Sequence, residues 1–232
     1  MHFSVSSKER LTPHDLGRFA GDSLFDRLAR SLCQAGCLPR KELYEAWEMA
    51  RRVRRRMRGG RIVDLAAGHG LLAHVLLILD DTSPQALLVD TTPPPSAARL
   101  HDVLVETWPR LSGRIVFERR PLGEVALSAG DLVVSSHACG ALADFVLDGA
   151  AAAGARVAVL PCCQNFAVND AGALAGWVDR ALGVDVMRAV RLEQRGYRVW
   201  TQTIPSEITP KNRLLMGVPR SALSQSLPDL PP

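Results

Sequence analysis

The alternation of apolar and polar positions along the chain changes period several times, and each change marks an element. From Pro39 onward Leu43, Trp47, Ala50, Val53 or Arg54, and Met57 recur at three-to-four spacing and stop at Gly59-Gly60. That spacing predicts one amphipathic helix with its arginines turned outward. After Arg61, short apolar runs at 62–65, 86–89, 114–117, 131–135 and 156–160 read as strands. Helical patterns over 70–79, 96–107 and 141–153 separate them, Pro93-Pro94-Pro95 delays the second of these, and 170–182 reads as a further helix. Strands alternating with helices predict an α/β fold built on a parallel sheet. The segments 197–204 and 213–218 also have strand character, but only a proline-bearing loop joins them, so they must run antiparallel.

Three regions follow. Residues 1–38 form a helical N-terminal extension, with starts at Thr12-Pro13 and Ser23 and a stop at Gly36; residues 39–218 form the main domain; residues 219–232, rich in Ser, Pro and Leu, form a flexible tail. A chain of 232 residues that is 47% hydrophobic supports one substantial core plus the extension and leaves no room for a second full domain. The N-terminus has early charges and no apolar secretory core, and no apolar run is long enough to span a bilayer, which predicts a soluble cytoplasmic protein. Five cysteines (Cys33, Cys37, Cys139, Cys162, Cys163) are an odd number without secretory context, so reduced thiols are expected.

Net charge is only +4, yet Arg51, Arg52, Arg54, Arg55, Arg56, Arg58 and Arg61 fall within eleven residues. The block suits an anionic partner such as RNA. It equally suits a solvated helix end whose cations complement the helix dipole, and nothing aromatic is interleaved to stack bases.

Candidate chemistry concentrates in two places. The run Val63-Asp64-Leu65-Ala66-Ala67-Gly68-His69-Gly70-Leu71-Leu72-Ala73, followed by Asp90 at the end of the next apolar run, reads as strand, glycine turn, helix, strand, acid. A doubly wound sheet holds a nucleoside cofactor this way. Gly68-x-Gly70-x-x-Ala73 also satisfies the dinucleotide fingerprint, which keeps an NAD(P)-dependent oxidoreductase in view. Asp64 discriminates, because a carboxylate at the end of the first strand can receive the ammonium group of a methionine moiety and would repel a pyrophosphate. S-adenosylmethionine is therefore the expected cofactor. The second place is Ser135-Ser136-His137-Ala138-Cys139-Gly140 together with Pro161-Cys162-Cys163-Gln164. If the strands before these segments are neighbours, His137 and three thiols converge. The thiols can be small buried hydrophobes, His137 can orient or deprotonate an acceptor, or the set can hold zinc. The H-x-C and C-C spacings are not the usual zinc knuckles, so no metal is assigned.

His137-x-Cys139-Gly140-x-x-x-Asp144, with the Cys162-Cys163 pair and the V-D-L-A-A-G-H-G loop, resembles the methyltransferase family that includes eukaryotic tRNA acceptor-stem 2′-O-methyltransferases and related bacterial domains. The resemblance covers about residues 40–218. It implies a Rossmann-like class I methyltransferase whose mostly parallel sheet ends in the antiparallel hairpin. It further implies that Asp64, Ala66, Gly68, His69 and Gly70 line the cofactor, that Asp90 binds its ribose, and that His137, Cys139 and Asp144 flank the acceptor pocket. The sequence departs from the family pattern at Ala66, where a first loop glycine is expected, and at Gln164, where relatives often have His. The N-terminal zinc-binding element of the eukaryotic enzymes is also missing. A small-molecule methyltransferase and a non-catalytic cofactor-binding module are the remaining alternatives.

Overall fold

A computed structural model describes residues 3–136 and 138–224, and these build one seven-stranded sheet. Its strands are β1 (Ile62–Leu65), β2 (Ala86–Asp90), β3 (Ile115–Arg119), β4 (Leu132–Ser135), β5 (Arg156–Val159), β6 (Tyr197–Thr203) and β7 (Arg213–Pro219), in the order β3-β2-β1-β4-β5-β7-β6. The first five are parallel, and β7 inserts antiparallel between β5 and β6. The β6–β7 loop is too short for a crossover helix, which forces the reversal. This is the Rossmann-like methyltransferase fold that the sequence predicts.

The helices are α1 (Leu24–Ala35), α2 (Arg40–Arg56), α3 (Leu71–Leu79), α4 (Ala97–Thr107), α5 (Ala141–Ala152), α6 (Arg180–Gln194) and a short α7 (Arg220–Ser224). All four residues of β1 are buried, as expected of a central parallel strand covered on both faces. On one face Ile62, Leu88, Val134 and Ala158 join the apolar stripes of α1 to α4; on the other Val63, Leu65, Val133 and Val157 pack with α5, Leu192 and Tyr197. Residues from Phe3 to Leu38 contribute to the first of these layers. Leu11, Phe19, Leu28 and Leu32 are buried in the same cluster as Leu43, Met49 and Leu76, and the Phe25 ring lies 5.2 Å from those of Tyr44 and Trp47. Each such buried leucine contributes about 2 kcal/mol of transfer free energy.

Two expectations change. Over 170–179 the chain forms a 3-10 turn at Gly172–Gly176 in place of a helix, because the glycines weaken helix propensity, and Asp179 then caps α6, which starts at Arg180, by accepting the Leu182 N–H at 3.0 Å. Helix α6 itself is hidden in the sequence because a charged residue, Arg188, occupies its buried stripe between Val184 and Leu192. At the C-terminus β7 continues through Pro219 and α7 follows, where a tail from residue 219 is expected; residues 225–232 lie outside the described residues. Among the described residues no helix is long and apolar enough to cross a membrane.

Candidate cofactor cleft and thiol cluster

The turn after β1 is tight. Ala66 adopts φ +58°, Gly68 +54° and Gly70 +75°, and Gly70 opens α3. A side chain at Gly70 would run into Leu88, whereas nothing lies within 4 Å of the corresponding position at Gly68. One glycine thus serves close packing and the other borders open space. The loop is pinned from both sides: Ala67 N–H donates to the Val89 carbonyl at 3.1 Å, and Gly68 N–H donates to Asp90 Oδ2 at 2.9 Å. Asp90 Oδ1 accepts the Thr92 N–H at 2.8 Å.

Two cavities flank this crest. One, of about 340 Å³, is bordered by Glu42, Glu45, Gly68, His69 and Ser136; the other, of about 350 Å³, by Pro121, Leu122, Leu142 and Phe145. Ala66 and Asp90 border both. His69 Nε2 lies 2.9 Å from Ser96 Oγ, which fixes the ring at the rim. Ala66, Gly68, His69 and Asp90 are therefore brought together, with Gly70 behind them.

Asp64 departs from its expected position. It is 1% exposed and borders neither cavity. In register with Leu88 and Val134, its side chain enters the layer beneath α3 instead of the cleft. Neither carboxylate oxygen has a hydrogen-bond partner among the described residues. Burial pushes its pKa up to about 8; the Ala73 amide, at a geometry short of a hydrogen bond, offsets this only in part, and Asp90 adds to the rise. At neutral pH it is mostly the uncharged acid, buried apart from both cavities, where the motif suggests an ammonium receptor.

Besides Asp90, the acids that border the polar cavity are Glu42 and Glu45 of α2, with Glu45 9% exposed and 3.1 Å from Lys41 Nζ. They lie some twenty residues before the loop, and only their three-residue spacing beside the apolar stripe of an arginine-rich helix hints at a role.

At the ends of β4 and β5 the second constellation assembles. His137 lies outside the described residues. Cys139 and Cys162 are joined as a disulfide with Cα atoms 5.7 Å apart, correcting the expectation of five reduced thiols. The pairing of β4 with β5 makes neighbours of residues that are 23 apart in sequence. Cys163 Sγ sits 3.9 Å from Cys162 Sγ, and Gly140 N–H donates to the Cys163 carbonyl at 3.0 Å. Cys33 and Cys37 are buried thiols, and burial raises the pKa of Cys33 to about 11.

Asp144, expected beside the acceptor, sits in an ion-pair network. It accepts from the buried Arg188 at 2.8 and 3.2 Å and from Asn169 at 2.7 Å, and it pairs with Arg191. Burial alone would raise its pKa, but the two guanidiniums overcome that and hold the carboxyl below the usual range. Neither Cys139 nor Asp144 borders the two cavities that share Asp90.

The arginine block divides. Arg54 is buried, 3.1 Å from Asp80, and donates to the Leu76 carbonyl and Ser83 Oγ. Burial lowers its pKa to about 10 despite Asp80. Arg61 is held by Asp131 at 2.7 and 2.9 Å. These two are structural, which removes Arg54 from the expected RNA-facing set. Arg51, Arg55, Arg56 and Arg58 are exposed, Arg52 is half-buried, and Arg51 and Arg52 pair with Glu48. Arg56 lies 5.6 Å over the Trp200 ring of β6 and Arg51 5.9 Å over Trp47 of α2 itself, so aromatics stand beside the block although none is interleaved in it.

No protein-family model matches the chain, and no curated protein matches it. Solved structures do. An O-methyltransferase family protein from Burkholderia thailandensis aligns with TM-score 0.52 and 20% identity over 90% of this chain and 63% of its own. The S-adenosylmethionine-dependent methyltransferase SibL aligns with 0.52 and 18% over 91% and 66%, and mitomycin 7-O-methyltransferase MmcR with 0.50 and 18% over 88% and 60%. The chain spans between three fifths and two thirds of the length of these proteins. At such identities the likeness is one of fold: the sheet order, the loop after β1 and the terminal hairpin together make this a Rossmann-like methyltransferase fold.

Proposed function

We propose that the chain is an S-adenosylmethionine-dependent methyltransferase. The observation that carries this reading is the divided cleft, apolar on the side of Leu122 and Phe145, acidic on the side of Glu42 and Glu45, with Asp90 between. A purine suits the first lobe, ribose hydroxyls suit Asp90, and a cationic amino-acid end suits the second. A dinucleotide would bring its pyrophosphate beside the two glutamates, whose charge suits a cationic amino-acid end better than a phosphate bridge. The solved structures named as methyltransferases support the same reading through their fold.

Bound, the cofactor supplies an electrophilic methyl on a sulfonium. Each Asp90 oxygen retains a lone pair after accepting its backbone N–H, enough to receive ribose hydroxyls. Gly68, with open space beside it, allows close backbone approach, and the field of Glu42 and Glu45 favours the positive charge. The protein's main share of the rate is alignment of acceptor and methyl. His137 follows Ser136, which borders the acidic cavity, and in this reading it takes the acceptor proton. Calorimetry with S-adenosylhomocysteine against NADH tests the cofactor; saturable binding of NADH alone overturns the proposal. His137→Ala should abolish methyl transfer into a cell extract while leaving homocysteine-adduct binding intact, and unchanged transfer would point away from His137.

RNA is the acceptor class we favour. Arg51, the first exposed arginine of α2, is six residues and roughly 9 Å along the helix from Glu45, so a backbone tracking Arg51, Arg55 and Arg56 arrives at the cleft. Binding should weaken steeply with salt and lose about one unit of log-log slope per arginine replaced. Label that follows the small-molecule fraction, or binding insensitive to salt, would remove RNA and leave a small acceptor.

A further inference from the structure

Three sulfurs meet beyond the carboxyl ends of β4 and β5. Cys139 lies in the turn before α5, Cys162 and Cys163 lie just past β5, and all three sulfurs fall within 4.8 Å of one another. Backbone bonds hold the two segments together: Leu160 N–H donates to the Ser135 carbonyl at 3.0 Å and Gly140 N–H to that of Cys163 at 3.0 Å. Gln164, the next residue, is tied to Asp185 at 3.2 Å. The cluster therefore sits at the carboxyl ends of two interior strands while remaining open to solvent, with Cys139 exposed and the other two half-buried.

We propose that, in the reduced protein, Cys139, Cys162 and Cys163 form a three-thiolate site for Zn²⁺ with its fourth position open to water or another ligand. Tetrahedral zinc with bonds of about 2.3 Å keeps its sulfur ligands about 3.8 Å apart. Cys162 and Cys163 already stand 3.9 Å apart, and the 5.7 Å Cα separation of Cys139 and Cys162 lets their sulfurs part to that spacing by side-chain rotation. A donor set of sulfur alone selects a soft or borderline ion and rejects Mg²⁺ and Ca²⁺. The sequence spacing argues against a zinc knuckle, but a knuckle is a local turn, and here the ligands converge through strand pairing. The Cys139–Cys162 disulfide is the oxidised alternative. A dithiol reductant gives two electrons and two protons to the Cys139–Cys162 bond, becoming a disulfide itself and leaving three thiols; Zn²⁺ binding then releases their three protons to solvent.

The test uses the full chain, reduced with a dithiol, freed of it under anaerobic conditions and titrated with Zn²⁺ against a chromophoric chelator. One zinc per chain is expected, with at least tenfold weaker binding in Cys139→Ser, Cys162→Ser and Cys163→Ser and unchanged binding in Cys33→Ala. Co²⁺ substituted at the site should show thiolate charge-transfer absorption. Cys139 is exposed, so its variant keeps the test decisive even if the others fold poorly. Substoichiometric zinc on the reduced wild-type chain, wild-type affinity in Cys139→Ser, or Co²⁺ without thiolate bands would overturn the site. S-adenosylhomocysteine binding, measured on the same samples, reports separately on the cofactor cleft.

Discussion

The Gly68 amide donates to Asp90 Oδ2 at 2.9 Å, so the acid at the end of the second strand holds in place the loop that follows the first. Asp90→Ala leaves this amide and that of Thr92 without their acceptor, an expected loss of about 1–3 kcal/mol in stability. Affinity for S-adenosylhomocysteine should fall at least tenfold in calorimetry. Asp90→Asn, which keeps one oxygen, should recover much of the stability and little of the affinity.

Asp64 makes stability depend on pH in the direction opposite to most carboxylates. Its acid titrates near 3.8 when unfolded and at about 8 when folded. The folded state holds the proton that the unfolded state releases, so its contribution is full below pH 4 and is lost as pH rises to 8. Asp64→Asn should melt higher than wild type at pH 8, with the difference shrinking toward pH 4. Equal melting temperatures across that range would contradict a buried, unpartnered carboxyl.

Ala66 carries a left-handed backbone that costs a side-chain-bearing residue about 1–2 kcal/mol. Ala66→Gly relieves that strain but adds freedom to the unfolded chain, giving a net gain of about 0.5–1 kcal/mol. Urea denaturation measures it. A loss of stability would mean that the alanine methyl has packing worth more than the strain.

Breaking the Arg188–Asp144 pair should be costly, because Arg188 is fully buried and also anchors the Gly140 carbonyl at 3.0 Å. Arg188→Ala should destabilise by about 3–5 kcal/mol. Since Asp144 titrates lower when folded than its ordinary 3.8, its contribution is present above pH 4 and disappears as pH falls through the folded value. Asp144→Asn should therefore flatten the acid limb of the stability profile.

The arginine block separates by measurement as well. Arg54→Ala should destabilise by about 3 kcal/mol, since Asp80 is left buried without its ion-pair partner and with only the Thr82 and Gly59 donors. Arg55→Ala, at an exposed position, should stay within about 0.5 kcal/mol of wild type and alter only anion binding.

Much of the fold is legible in the sequence because it rests on local causes. The strand and helix periods, the glycine turn, the proline-bearing hairpin loop and the Asp90 spacing each reflect backbone geometry within a few residues. What lies further apart is not written in any window. Asp64 carries the right residue type at the right motif position, yet β-sheet register turns it beneath α3, where burial keeps its proton. Glu42 and Glu45 look like ordinary acids of a charged helix until packing brings α2 beside the loop. Arg54 and Arg55 are adjacent and chemically identical; only the side of the helix that meets α3 makes one structural and leaves the other exposed. The three cysteines are 24 residues apart at their widest in the chain and meet because β4 and β5 are hydrogen-bonded neighbours. Local sequence determines conformation and period, whereas which charges lose water and which side chains meet depends on the packing of distant segments.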